Sequence, residues 1–500
     1  MLGFIGPLLG GFAIAVTPEN LFSAFVGVLL GTVIGVLPGL GPTASIALLL
    51  PATIGMNPIS GIIMLAGVYY GAMYGGSTTS ILVNIPGEAA SVITCIDGYQ
   101  MAKQGRAGPA LGISAFGSFI GGTLGVLAVM LISPIIAEAA VKFGPPERFA
   151  LLFFAFTLIG YLAGKSMARG LFMGAVGLFL GTIGIDDIHG VDRFTLGTLY
   201  LRDGIGLVPL AMGIFGLGEI LYNIEQREAQ ITVMETPKNL LPTRQDWRDS
   251  AAPIGRGALL GFGIGVLPGG MPAISSLISY AVEKRVAKNP ERFGRGAIEG
   301  VAGPETANNA ATAGGFVPLL TLGIPTNSVL ALLLAALMLH GVTPGPLLLF
   351  KYPDVFWGTI ASMYIGNILL LLLNLPLIGV FVQILKVPYR ILSPLIIMFV
   401  LLGAYALNNS ITDVLVTILF GLLGYIMKRY NFEVAPLVLA FVLGPMMETS
   451  FRQSLIMSPT ASLAIFFSRP ISGTLLIIAI LVLFLPLFRR YLKALFQADR

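Results

Sequence analysis

Gly35-Val-Leu-Pro38-Gly39 recurs 230 residues later as Gly265-Val-Leu-Pro268-Gly269, and that recurrence decides how the chain is organised. At the same offset Ile34 matches Ile264, Pro42 matches Pro272 and Ser45 matches Ser275. A second pair follows: Gly75-Gly76 with Ile85-Pro86-Gly87, against Gly314-Gly315 with Ile324-Pro325-Thr326. Here the offset is 239, so the second copy carries nine more residues, assigned to the charged stretch 283–295. Proline removes a backbone donor and glycine permits turns, so the motifs are expected to break helices. Order, spacing and composition agree, which identifies an internal duplication.

Composition places both copies in a membrane. Of 500 residues, 56% are apolar and only 11% are charged, where soluble domains carry roughly 25% charge. Too little charge remains to coat a soluble surface. The runs Asn367–Val387 and Ile471–Phe488 are long enough to cross most or all of a core about 30 Å thick. Lipid offers backbone groups no partner, so the expectation is an all-α polytopic membrane protein. About ten to thirteen membrane segments would fit, at about 20 residues each. The expected division is 1–222 as one repeat, 223–253 as a polar connection, 254–457 as the second repeat, and 458–500 as a last helix with a basic tail.

Lys and Arg favour cytoplasmic loops, so equivalent loops report the sense of each half. Residues 54–60 carry no charge, whereas their counterpart 283–295 carries five Lys and Arg. Lys103 and Arg106 face the weakly charged 341–354; Lys165 and Arg169 face uncharged Asn408-Asn409-Ser410. The sign alternates along the repeat, which predicts inverted topology. Arg244–Arg256 and Glu283–Arg295 then share one side, so an even number of crossings lies between them, which a re-entrant hairpin turning near Pro268-Gly269-Gly270 would satisfy. By symmetry 21–50 would dip in from the other side and turn near Pro38-Gly39.

The polar residues at these motifs are the candidate site. In the first copy they are Pro38, Gly39, Thr43, Ser45, Gly75, Gly76, Ser77, Thr78, Thr79, Asn84, Pro86 and Gly87. In the second they are Pro268, Gly269, Ser275, Glu305, Asn308, Asn309, Thr312, Pro325, Thr326 and Asn327. Broken helices expose N–H groups that attract anions and carbonyls that coordinate cations. Hydroxyls and amides complete either shell. A single Gly or Ser more commonly serves close helix packing, so the reading rests on the two clusters together. Glu88 and Glu305 are intramembrane candidates or interfacial, solvated groups. Asp186, Asp187, His189 and Asp192 match no metal-ligand spacing and are expected in a hydrated loop, and His340 at a helix end.

Several classes recede. Basic blocks interleaved with aromatics are missing, which argues against nucleic-acid binding. Cys95 is the one cysteine, so no intrachain disulfide forms. Gly160-Tyr-Leu-Ala-Gly164-Lys165-Ser166 has three residues between its glycines, not the four of a phosphate-binding loop. Met1-Leu-Gly-Phe-Ile lacks the basic start of a cleaved leader and is expected to be retained. A channel, or a membrane-embedded enzyme with a serine nucleophile in Gly75-Gly76-Ser77, is the alternative to a transporter. Repeats with broken helices favour alternating access.

At the same motifs the chain resembles a family. Gly35-Val-Leu-Pro-Gly-Leu-Gly-Pro42, Tyr69-Tyr-Gly-Ala-Met-Tyr-Gly-Gly-Ser77, Asn84-Ile-Pro-Gly-Glu-Ala-Ala-Ser91 and Gly303-Pro-Glu-Thr-Ala-Asn-Asn309 look like the large membrane subunit of tripartite tricarboxylate transporters. So do Asp97-Gly-Tyr-Gln-Met-Ala, Gly105-Arg-Ala-Gly-Pro-Ala-Leu and Arg193-Phe-Thr-Leu-Gly197, and the likeness runs from about Pro18 to Met457. The resemblance implies a bacterial inner-membrane permease, not an enzyme, with no cofactor. It also implies a small membrane subunit and an extracytoplasmic solute-binding protein as partners, and a carboxylate substrate. Import would be driven by a Na+ or H+ gradient.

Overall fold

The computed structural model describes residues 5–37, 39–162, 166–186, 188–226, 237, 239–385, 387 and 389–498. Pro38, Gly164, Lys165 and Asp187, each named above, lie outside the described residues. Among the described residues the regular elements are helices apart from one two-residue antiparallel pairing, Gly184 with Arg193 and Ile185 with Asp192. Among the described residues seven helices are long and apolar enough to cross a membrane, and four shorter apolar helices accompany them. The helix Tyr389–Asn408 shows why lipid is required. Ile391, Leu395, Met398 and Leu402 form an exposed stripe, while Ser393, Ile396, Val400 and Ala404 are buried. In water the exposed stripe would favour aggregation.

The chain divides into two compact units, 1–138 with 207–429, and 139–206 with 430–500. Each unit draws on both halves of the sequence.

Within the first unit, two helix pairs pack backbone against backbone through glycine. On Pro18–Val36, a Cβ at Gly27, Gly31 or Gly35 would strike the carbonyl oxygen of Met64, Val68 or Ala72 on Pro58–Val83. On Arg244–Gly265, a Cβ at Gly257, Gly261 or Gly265 would strike that of Gly303, Ala307 or Ala311 on Glu299–Gly314. The two sets of glycines stand 230 residues apart, and the carbonyls they meet stand 239 apart. Small residues let helices approach where lipid removes any net hydrophobic drive between them.

Backbone breaks follow the same offsets. Gly39 and Gly269 have φ of 84° and 79°, and Asn84 and Gly323 have φ of 61° and 70°. Helices resume at Gly41, Pro272, Val92 and Ser328. After the Gly269 turn the chain doubles back, because Arg256 before it closes on Glu283 after it at 2.8 and 2.5 Å.

Four expectations need correction. Gly75-Gly76-Ser77 breaks nothing: Pro58–Val83 runs straight through it, because Gly75 there abuts the Thr32 carbonyl and Gly76 abuts Glu88. Pro304 likewise lies inside Glu299–Gly314. The run Asn367–Val387 is not one span, since its helix ends at Asn374 just before Pro376, which cannot donate. The polar connection 223–253 is helical at both ends, up to Glu225 and from Arg244. There Thr243 and Asp246 cap each other reciprocally.

The second unit packs Pro145–Leu162, Met167–Leu180, Ala435–Met457 and Pro470–Ala498. Phe149, Phe451 and Phe466 form its aromatic core, with ring centroids 4.9–5.5 Å apart.

Candidate functional site

The helix Pro58–Val83 is almost wholly enclosed by protein, which is what allows it to carry Ser77-Thr78-Thr79-Ser80 at membrane depth. It crosses Glu299–Gly314 at a point where Ser77 donates to Glu305 Oε2 at 2.7 Å. Glu305 is 1% exposed. Thr94 donates to its Oε1 and Ser118 to its Oε2 at 3.3 Å, so four helices converge on one carboxylate. Among the described residues every partner of that carboxylate is a hydroxyl, and no Lys, Arg or His pairs with it.

Spacings of three and four place Asn308 and Thr312 on the same helix face as Glu305. The Asn308 amide is buried with both its oxygen and its nitrogen lacking a protein partner. Thr326 Oγ1, Tyr70 Oη and Glu88 Oε1 are also buried without partners. An unmet buried polar atom costs about 1–3 kcal/mol, so each of these atoms is a point where the chain itself leaves a polar group to be satisfied. Nearby, Asn327 donates to Tyr69 Oη at 3.2 Å and caps its own helix through Leu330 N at 3.0 Å.

The two halves meet again at their breaks. Thr43, in the first turn of Gly41–Leu49, lies 3.1 Å hydroxyl to hydroxyl from Ser328, which opens Ser328–Leu339. Two helix N-termini, one from each half, therefore converge. Beside them Gly269 N donates to the Thr326 carbonyl at 2.9 Å. No side chain caps the Gly41–Leu49 helix, and the space where a Gly41 side chain would stand is open.

The other candidates have local tasks. Ser45 donates to Gly41 O and Ser275 to Met271 O, each four residues back. Thr79 bonds the Val36 carbonyl at 2.9 Å. Asn309 donates to Glu305 O, and Thr312 to Asn308 O. Gly75 and Gly76 serve packing, as does Gly87, which meets Gly35 and Gly76. Thr78 is buried in the polar run, and Pro86 and Pro325 lie in the breaks. Asn84 is exposed and supplies the left-handed C-cap. Sequence reading missed Thr94, Ser118, Tyr69 and Tyr70. An isolated hydroxyl in an apolar span, as at Ser118 in Ala107–Val141, was the available signal.

Ser77 donates to a carboxylate rather than to an imidazole. His340 caps Ser328–Leu339 and touches Thr53 at 3.3 Å.

In the second unit, Asp186 is not hydrated as expected but buried. It accepts from Arg452 Nη1 at 2.7 Å and from the N–H groups of Ile188 and His189 at 2.8 and 3.0 Å. The Arg452 guanidinium and these N–H donors hold its carboxyl well below the usual carboxylate range. Glu448 joins Arg193 at 2.7 Å and Arg452 at 3.0 Å. Asp186, Ile188, Arg193, Glu448 and Arg452 line a cavity of about 420 Å³.

Comparison with known proteins turns this geometry into an assignment. The description "Tripartite tricarboxylate transporter TctA family" matches residues 21–439. The chain belongs to that family. It is therefore a multi-pass membrane component of a transporter family, and both convergence points fall within the matched residues. It is also 48% identical over 480 residues to an "Uncharacterized 52.8 kDa protein in TAR-I ttuC' 3'region" of Agrobacterium vitis, covering 96% of this chain and 95% of that one. A second Agrobacterium vitis protein, "Uncharacterized protein in TAR-II ttuC' 3'region", is 48% identical over 239 residues, 47% of this chain and 98% of its own length.

Proposed function

We propose that this member of the family is the permease subunit of a secondary transporter that imports a tricarboxylate or related carboxylate across the bacterial inner membrane. It works with a small membrane subunit and an extracytoplasmic solute-binding protein, and an ion gradient drives it. The observation that carries the reading is the convergence of two helix N-termini, one from each half, at Thr43 and Ser328. Substrate carboxylates fit there, because N–H groups and the positive ends of helix dipoles favour anions and no fixed cation is needed. Ions are coupled at the Ser77–Glu305 crossing.

The halves are inverted repeats. Support comes from the glycine contacts and the left-handed breaks, which recur at offsets of 230 and 239. It also comes from the alternating charge of equivalent loops. The doubling back at Gly269 supports a re-entrant hairpin. Alternating access follows from rocking one set of such elements against another around a site near the midplane.

Uptake of labelled di- and tricarboxylates into vesicles holding this chain and its partner subunits tests the reading. Accumulation should require both a gradient and the solute-binding protein. Flux that equilibrates without accumulation would make the chain a channel and sink the proposal.

A further inference from the structure

We propose that the coupling ion is a proton and that Glu305 is the group that carries it. This rests on the transport reading and names its driving ion.

The argument begins with what surrounds the carboxylate. From Pro58–Val83 come Ser77 and Tyr74, whose hydroxyl is turned to Asn367 at 3.1 Å. Val92–Lys103 contributes Thr94, Cys95 and Asp97. Asp97 is already committed, to Tyr280 at 2.8 Å and to the N–H groups of Gly294, Gly296 and Ala297 at 2.8–2.9 Å. Ala107–Val141 contributes Ser114 and Ser118 and no ionisable group in contact. Across Gly303, Pro272–Val286 contributes Glu283, which is closed bidentate on Arg256 of Arg244–Gly265. Glu88, in the break after Asn84, is the one further carboxyl, and one of its oxygens has no partner.

Glu305 is thus buried with carboxyls and hydroxyls around it and no cation bonded to it among the described residues. An ionised carboxylate in such a place is costly, and taking up a proton relieves the cost. The shell suits both states. A hydroxyl rotates, donating to the carboxylate and accepting from the carboxylic acid, whereas a guanidinium or ammonium could only donate. It suits Na+ less well. Ser77 and Ser118 lie inside continuous helices, where carbonyls are occupied by the helix ladder, so apart from the Asn308 amide oxygen on the same face as Glu305 the shell offers few free carbonyl oxygens. Glu305 therefore takes its proton when the site opens outward and releases it inward.

The test uses vesicles with this chain, its partner subunits and the binding protein, labelled citrate and related carboxylates, and inward proton and Na+ gradients imposed separately. A proton gradient should drive accumulation without Na+, and substrate addition should alkalinise the outer medium. Glu305→Gln should lose both at least tenfold while reaching the membrane in normal amount, and Glu305→Asp should recover part of both. Accumulation driven by Na+ with no proton gradient, or alkalinisation surviving in Glu305→Gln, would overturn the inference and leave the transporter reading standing. No carboxylate movement by the wild type under either gradient would overturn the transporter reading, and the inference with it.

Discussion

Glu305 and Asp186 are both carboxylates withdrawn from water, and their surroundings differ in kind. Asp186, in the second unit, sits against Arg452 and backbone N–H groups, which fix its charge. Glu305, in the first, has hydroxyls alone. A carboxylate locked to a guanidinium is a structural clasp, because removing one partner strands the other's charge. A carboxylate whose partners can either donate or accept is free to change its charge during a cycle. On the proposed reading, the difference separates a region that holds the fold from one that does work.

Four changes would break or sharpen the contrast. The largest effect is expected for Glu305→Gln, since hydrogen bonds to a charged group contribute about 1.5–3 kcal/mol, or roughly tenfold to a hundredfold in rate. Carboxylate uptake should fall by that much with expression near normal; unchanged uptake would remove Glu305 from the mechanism. Ser77→Ala takes away one of several donors and should reduce uptake about fivefold, in line with about 1 kcal/mol for a single bond.

Asp186→Asn should do the reverse, lowering the melting temperature while uptake per folded molecule stays within about twofold, less than 1 kcal/mol. Loss of uptake at normal stability would move function into the second unit. The same residue sets a pH dependence. Its folded value is depressed, so its stabilisation is complete above the unfolded value of about 3.9 and is lost as pH falls below it. Melting curves between pH 7 and pH 3 should show that loss in the wild type and a shallower one in Asp186→Asn.

Asn84→Ala should have the smallest effect on uptake, less than twofold or about 0.4 kcal/mol. Asn84 is exposed and its task is a left-handed turn, which alanine adopts less readily, so expression would fall before transport. A severe transport defect with normal expression would place it in the site after all.

Much of the fold was legible because it depends on local chemistry. Pro-Gly motifs, low charge and paired offsets required no knowledge of contacts, and helices do break at Gly39, Asn84, Gly269 and Gly323. Of the candidate site, the sequence offered the polar residues around those breaks. It was not legible which of them pack and which face one another. Gly75-Gly76 reads as a break in sequence, yet it is an approach surface, because the neighbouring helix that occupies its bare face lies some forty residues away. The Asn367–Val387 run showed the opposite failure, since hydropathy counted residues through a proline that ends the helix.

By itself the sequence determined that this chain enters a membrane, that its Pro-Gly motifs recur at fixed offsets and where its helices are interrupted. Transfer to lipid, missing donors and permitted φ angles are properties of short segments, and a segment carries them wherever it lies. Only the tertiary structure decided that Ser77 and Thr94 meet Glu305, 228 and 211 residues away, and that Thr43 meets Ser328. Those pairings join helices far apart in the chain, and no single segment carries the crossing that brings them together. Which hydroxyl then meets which carboxylate is fixed by the geometry of the crossing.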